Sequence, residues 1–182
     1  PYSKFMSIYA ALCRNHMKKW GTTQRQIAAV SAKNHQHSVH NPWSQFRKSF
    51  TIGEVLAAPP ITYPLTLPMC APVTDGSAAA ILCTEEGLKR IGADRSRCIR
   101  VSASVVRSAT SRSIDQHELN LARLAANQAY EIAGIGPNDI DVAEVHDAAA
   151  MGEIIQVENL VFGEMGEGGP AAERGDFTIG GR

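Results

Sequence analysis

Between residues 77 and 162 short apolar runs alternate with amphipathic stretches, and few folds accept that order. After the Asp75-Gly76 turn, Ser77 to Cys83 reads as a buried strand, and Glu85 to Ile91 as a helix closed by Gly92. Residues 98–106 are β-branched and small, which predicts a second strand. Gln116 to Ala133 sets Leu119, Ala122, Ala126, Ala129, Tyr130 and Ala133 on one side of a helix stopped by Gly134. Gly136-Pro137-Asn138-Asp139 then turns the chain into a strand at Asp141 to Val145. A helix from Ala148 to Phe162, ending at Gly163, follows it. Strand, helix, strand, helix in this order predicts an α/β fold, a parallel or mixed sheet with covering helices.

The first third of the chain is built differently. Phe5, Ile8, Tyr9, Leu12, Cys13, Met17 and Trp20 recur at spacings of three and four, the stripe of an amphipathic helix, and Gly21 stops it. Thr23-Gln24-Arg25-Gln26 reads as a capping box that opens a second helix, Gln24 to His37. Pro42, Pro59, Pro60, Pro64, Pro68 and Pro72 then interrupt regular structure, with room for one helical turn at Thr51 to Leu56. That stretch keeps Leu, Ile and Trp, so it predicts an ordered traverse across a larger body instead of a flexible linker.

Composition narrows the function classes. A chain of 182 residues has room for one domain or two small ones, and 44% hydrophobic content supports a sizeable core. Eighteen basic side chains balance eighteen acidic ones, which argues against a nucleic-acid partner. No run approaches the roughly 18 to 20 apolar residues of a membrane span. In residues 1–20 His16, Lys18 and Lys19 follow the apolar residues instead of preceding them as in a signal peptide, so a cytoplasmic domain is expected. Cys13, Cys70, Cys83 and Cys98 form no C-x-x-C pair and sit among apolar neighbours, which predicts four buried, reduced thiols.

The sharpest chemical signal is Glu144-Val145-His146-Asp147. A strand places Glu144 and His146 on one face and Asp147 at its carboxyl end, where open α/β sheets bind ligands. A histidine there can donate to a developing oxyanion or move a proton. The competing reading is a pair that caps the next helix. Gly163-Glu164-Met165-Gly166-Glu167-Gly168-Gly169 lacks the Lys and the preceding strand of a phosphate cradle. It is either a flexible loop or a backbone that approaches a substrate closely. His35, His37 and His40 suit a metal poorly at helical spacing, and no metal is assigned. Ser113, Asp115 and His117 could be arranged as a triad, but no Gly-x-Ser-x-Gly elbow accompanies them.

These segments, taken in order, resemble the thiolase superfamily, nearest the sterol-carrier-protein and lipid-transfer types. The matching series is Tyr9-Ala10-Ala11 with Trp20-Gly21-Thr22-Thr23; Lys33-Asn34-His35 with Asn41-Pro42; Pro64-Leu65-Thr66-Leu67; Cys70-Ala71-Pro72 with Asp75-Gly76-Ser77-Ala78-Ala79; Glu144-Val145-His146-Asp147; and Gly166-Glu167-Gly168-Gly169. The resemblance implies part of a five-layer α/β/α/β/α fold. Residues 1–65 would lie in the helical loop domain that covers coenzyme A, 66–95 would end the first half, and 96–182 would start the second. It implies carbon–carbon bond cleavage or formation beside an acyl-coenzyme A thioester, usually by a homodimer. His146, with Asp147, would be catalytic, and Ala148, Ala149, Gly168 and Gly169 would line the substrate site. Coenzyme A enters as part of the substrate, and a companion protein of OB-fold and zinc-ribbon type is implied as a partner. Where the family pattern has Cys-Phe after His-Asp, this chain has Ala148-Ala149, which leaves more room and no thiol. That change favours a retro-aldol lyase as the alternative, and a non-catalytic acyl-coenzyme A or lipid-binding subunit is a third possibility. The family's nucleophilic Cys and its Gly-His-Pro loop have no counterpart in these residues, so the chain is expected to be partial.

Overall fold

The computed structural model describes residues 3–181. Helix α1 (Lys4–Trp20) begins where the Ser3 hydroxyl accepts the Phe5 amide, and it ends at Gly21 in the left-handed region, φ 74°. Helix α2 (Gln24–Ser38) opens on the expected capping box. Thr23 Oγ1 accepts the Gln26 amide at 3.2 Å, and Gln26 Oε1 accepts the Thr23 amide at 2.9 Å. Thr51 and Glu54 repeat the device for α3 (Ile52–Ala57), and the hydrogen bonds from Thr51 hold the Glu54 carboxyl below its ordinary range.

The proline-rich traverse contains a small hairpin, β1 (Pro60–Thr62) antiparallel to β2 (Leu65–Thr66), followed by a 3-10 turn at Leu67–Met69. Its carbonyls are held by polar side chains of the first two helices. Arg14 donates to Tyr63 O, Gln24 to Pro64 O and Ser31 to Pro68 O, each at 2.6–2.7 Å. Helices α4 (Glu85–Ile91) and α5 (Leu121–Ala133) both end on glycines in the left-handed region, Gly92 and Gly134. Helix α6 (Ala150–Asn159) stops short of Phe162, at a bend where Val161 has φ 63°, and α7 (Gly168–Arg174) follows.

The core joins the two ends of the chain. Ala10 and Cys13 of α1, Ile27 and Val30 of α2, Val55 of α3, Leu65 and Met69 of the traverse, and Met151 and Ile154 of α6 pack together. Burying each large side chain stabilises the fold by ~1.5–3 kcal/mol. Ala28, Ala29 and Ala32 keep α2 thin enough for α6 and α7 to approach. No helix among the described residues is long and apolar enough to cross a membrane.

Three expectations need correction. Residues 77–83, 98–106 and 141–145 form no strand, and among the described residues the only sheet is the β1–β2 hairpin. A central parallel strand needs hydrogen-bonded neighbours and helices on both faces. No described segment offers them, so Ile99 and Val106 stand 90% and 92% exposed. Secondly, only Cys13 is buried; Cys70 is half-buried, and Cys83 and Cys98 are exposed on those same unpaired segments. Thirdly, Gly168 and Gly169 belong to no flexible loop, because they are the buried first turn of α7.

Candidate active site

Helix α6 is where motifs far apart in sequence meet. Ala149 forms an antiparallel bridge with Cys70, and the Ala71 amide donates to Ala148 O at 3.0 Å. This clip fixes the chain immediately after His146-Asp147. Gly152 makes the following turn possible: a Cβ there would lie 3.1 Å from Asp147 Cα and from His146 O, and 3.4 Å from the Tyr9 ring.

A polar cluster ties this point to α2. Asn34 Nδ2 donates to Asp147 Oδ2 at 3.2 Å and to Glu153 Oε2 at 3.0 Å, so both of its amide hydrogens are used. Lys33 Nζ donates to Glu153 Oε1 at 2.6 Å, in a pair whose side chains are only 15% and 7% exposed. Partial burial, and then the nearby Asp147 carboxylate, push the Tyr9 phenol up from its ordinary value. Burial and the Lys33 ammonium push the His37 imidazole down.

A second cluster sits at the other end of α6. Glu158 is fully buried, and its Oε2 accepts from His16 Nε2 at 3.0 Å. Its Oε1 accepts the amides of Gly166 and Gly168, both at 3.0 Å, and His16 Nδ1 lies 2.6 Å from Thr22 Oγ1. The carboxylate thereby anchors the glycine-rich turn to α1. A Cβ on Gly166 would lie 2.6 Å from the Trp20 ring, and Gly166 also has φ 93°. On Gly168 it would lie 2.9 Å from Glu158 Oε1, and on Gly169 3.0 Å from Gln26 Oε1. Internal packing accounts for these three glycines without a ligand.

The six candidate positions therefore separate. His146 and Asp147 are exposed, His146 making no hydrogen bond among the described residues, and Ala148 is half-buried. Ala149, Gly168 and Gly169 face the interior. A small cavity lies between α1 and the 112–120 segment, lined by His16, Trp20, Arg112, His117, Glu158 and Met165; His146 is not part of it. Lys19 Nζ donates to Asp115 and to His117 Nε2 at 3.1 and 2.9 Å, so Asp115 serves an ion pair, His117 accepts from the same ammonium, and neither bonds to Ser113 among the described residues. His35 and His37 take separate partners, His35 facing Pro68 O and Phe50, and His37 accepting the Ile179 amide.

The motif reading missed Lys33 and Asn34 as site builders, and likewise Glu153, Glu158 and His16. A signal for them exists in the charge order. The chain has no Asp or Glu before Glu54, and the charged residues after 112 are mainly acidic. The ion pairs Lys33–Glu153, Arg25–Glu173 and Lys19–Asp115 and the His16–Glu158 hydrogen bond all join these two ends.

Burial disposes of Cys13 as a nucleophile: its thiol is pushed up to about 12, and the half-buried Cys70 thiol is also raised.

Comparison with known proteins gives one consistent picture. A family model described as thiolase C-terminal domain-like matches residues 103–182. Sterol carrier protein 2 of Oryctolagus cuniculus is 36% identical over 181 residues, 96% of this chain and 33% of that protein. An acetyl-CoA acetyltransferase of Methanothermobacter thermautotrophicus is 38% identical over 97% of this chain and 46% of its own. Benzoylsuccinyl-CoA thiolase subunit BbsB of Thauera aromatica is 35% identical over 96% and 45%. The chain thus spans a third to somewhat under half of the length of these curated relatives. Among solved structures, the Ltp2-ChsH2(DUF35) aldolase superimposes with a TM-score of 0.71 at 21% identity, over 95% of this chain and 47% of that one, and so shares its fold.

Proposed function

Because the chain belongs to the thiolase superfamily, we propose that the protein is a thiolase-like enzyme that makes or breaks a carbon–carbon bond beside an acyl-coenzyme A thioester. His146 is its oxyanion-stabilising or proton-handling residue. The observation that carries this reading is the tethering of the His-Asp dipeptide. Asp147 is held by Asn34, and the next two residues are clipped to Cys70-Ala71, while the His146 ring stays exposed. A backbone held that firmly beneath an accessible imidazole suits a preorganised donor.

When the bond between the α and β carbons of the acyl group breaks, its electron pair moves toward the thioester oxygen. An imidazole N–H aimed at that oxygen stabilises the enolate, which then takes a proton at the α carbon. In thiolysis a thiolate adds to the β-ketone, and the two products are shorter thioesters. In a retro-aldol cleavage the β-hydroxyl loses its proton to a base, a free carbonyl compound forms, and no thiol nucleophile is needed.

The retro-aldol reading is the second one, favoured by the Ala148-Ala149 pair and by a structural neighbour named as an aldolase. That neighbour's name joins Ltp2 to ChsH2(DUF35), which supports a companion protein here also. Acyl-coenzyme A binding and a homodimer complete the proposal; calorimetry with coenzyme A and sedimentation measure them. His146→Ala in the full polypeptide is expected to lower turnover by about 10²–10³, the usual effect of losing one oxyanion donor. Assays with acetoacetyl-coenzyme A plus coenzyme A, and with a β-hydroxyacyl-coenzyme A, decide between the two chemistries. Undiminished turnover in both would remove His146 from the mechanism.

A further inference from the structure

We infer that Asn34 is a positioning residue for His146, braced by the Lys33–Glu153 ion pair; the inference rests on the function proposed above. Asn34 touches no reacting atom in this reading. Its single amide group spends one hydrogen on Asp147 and the other on Glu153, so it bridges two carboxylates that would otherwise repel each other. A carboxamide does this with two donors on one nitrogen and adds no charge of its own. The Lys33 ammonium occupies the other Glu153 oxygen at 2.6 Å, which leaves Oε2 for Asn34 and fixes the way the amide points.

The geometry carries the constraint to His146 through the backbone. Asp147 follows His146 directly, and the chain beyond it is pinned at Ala148 and Ala149 to the 70–71 segment. Gly152 packs against Asp147 Cα and His146 O from the helix side. With Asp147 released, the His146 ring would lose the side-chain tether and keep only the clip that lies after it. The charged or titratable groups facing position 34 are Lys33 and His37 from α2, Tyr9 from α1, and Asp147 and Glu153 flanking the start of α6.

The test uses Asn34→Asp and Asn34→Ala in the full polypeptide, with His146→Ala alongside and acetoacetyl-coenzyme A plus coenzyme A, or a β-hydroxyacyl-coenzyme A, as substrate. Asn34→Asp places a third carboxylate between two others. It is expected to lower kcat at least tenfold at neutral pH with KM little changed. The loss should shrink as pH falls, because the added carboxyl, once protonated, can donate one of the missing bonds. Asn34→Ala should lose kcat to a similar extent without that recovery, and it carries the test if the Asp variant does not fold. Wild-type kcat in both variants, with His146→Ala impaired, overturns the positioning role and leaves the proposed function standing. A pH-independent loss in Asn34→Asp equal to that in Asn34→Ala also overturns it, since the site then suffers only from disrupted packing. Undiminished turnover in His146→Ala removes the function itself, and the positioning role with it.

Discussion

Helices α2 and α4 begin alike and end up in different worlds. Each opens on a threonine that caps the third residue of its first turn, Thr23 for α2 and Thr84 for α4. Yet α2 buries Ile27 to Ala32 without a break, while α4 buries nothing, and no residue from 71 to 125 is buried. The difference lies in what surrounds them. α2 is packed by α3, α6 and α7 and holds the proline-rich traverse by its side chains. Before and after α4 in the chain come the apolar runs 77–83 and 98–106, which pair with no strand among the described residues. Local signals suffice to start and stop a helix; burial needs a second surface, and that surface is available only to the two ends of the described chain.

The largest expected effect tests this contrast by thiol chemistry. An alkylating reagent should modify Cys83 and Cys98 of the folded 182-residue chain within the time of mixing, since both are exposed there. Cys13 lies in the core, and its labelling should be roughly a thousand-fold slower, as for a site that must open at a cost of ~4 kcal/mol. Burial holds its thiol protonated up to about pH 12, whereas the unfolded chain releases that proton at the ordinary thiol value. Folding stability from this group is therefore intact at neutral pH and falls as pH rises past the ordinary thiol range. Mass spectrometry of peptides after timed labelling gives the rates, and equal rates at the three cysteines would erase the distinction between the two regions.

Much of the fold was legible because its determinants are short. The helix starts at Thr23 and Thr51 and the stops at Gly21, Gly92 and Gly134 depend on residues within one turn, and each stands where the sequence places it. The strands were not recoverable in the same way. A strand is defined by its neighbours, and Ile99 or Val142 reads as strand whether or not a neighbour is present. At the site, Glu144 to Asp147 stood out from its residue types, but the partners that hold it did not. Asn34 is 113 residues from Asp147, and the bond between them follows from how α2 meets α6, which no local pattern encodes. Glu158 was hidden for the same reason, since a carboxylate on a helix normally reads as surface.

A smaller effect compares two carboxylates. Glu158→Ala leaves His16 and the amides of Gly166 and Gly168 without their acceptor in a dry interior, and should cost about 3–5 kcal/mol. Glu85 pairs with Arg95 at 2.8 Å, a distance similar to that of the buried pair, but both side chains are largely solvated. Glu85→Ala should leave the urea midpoint unchanged. A Glu158→Ala midpoint within error of wild type would mean that the glycine-rich turn holds itself without the buried anchor.

The smallest effect returns to the two threonines. Thr23→Ala removes one half of a capping box on a helix that carries the centre of the core, so the whole cooperative unit feels it, at ~1 kcal/mol. Thr84→Ala removes the same kind of bond, Thr84 Oγ1 to the Gly87 amide at 3.1 Å. Because α4 contributes no buried residue, that loss frays α4 locally and should not move the global transition. Hydrogen exchange resolves the two cases: faster exchange confined to residues 85–92 in Thr84→Ala, against a general loss of protection in α1, α2 and α6 in Thr23→Ala. Should Thr84→Ala also lower protection in α2, then α4 is energetically coupled to the core despite its exposed surface, and the two regions fold as one.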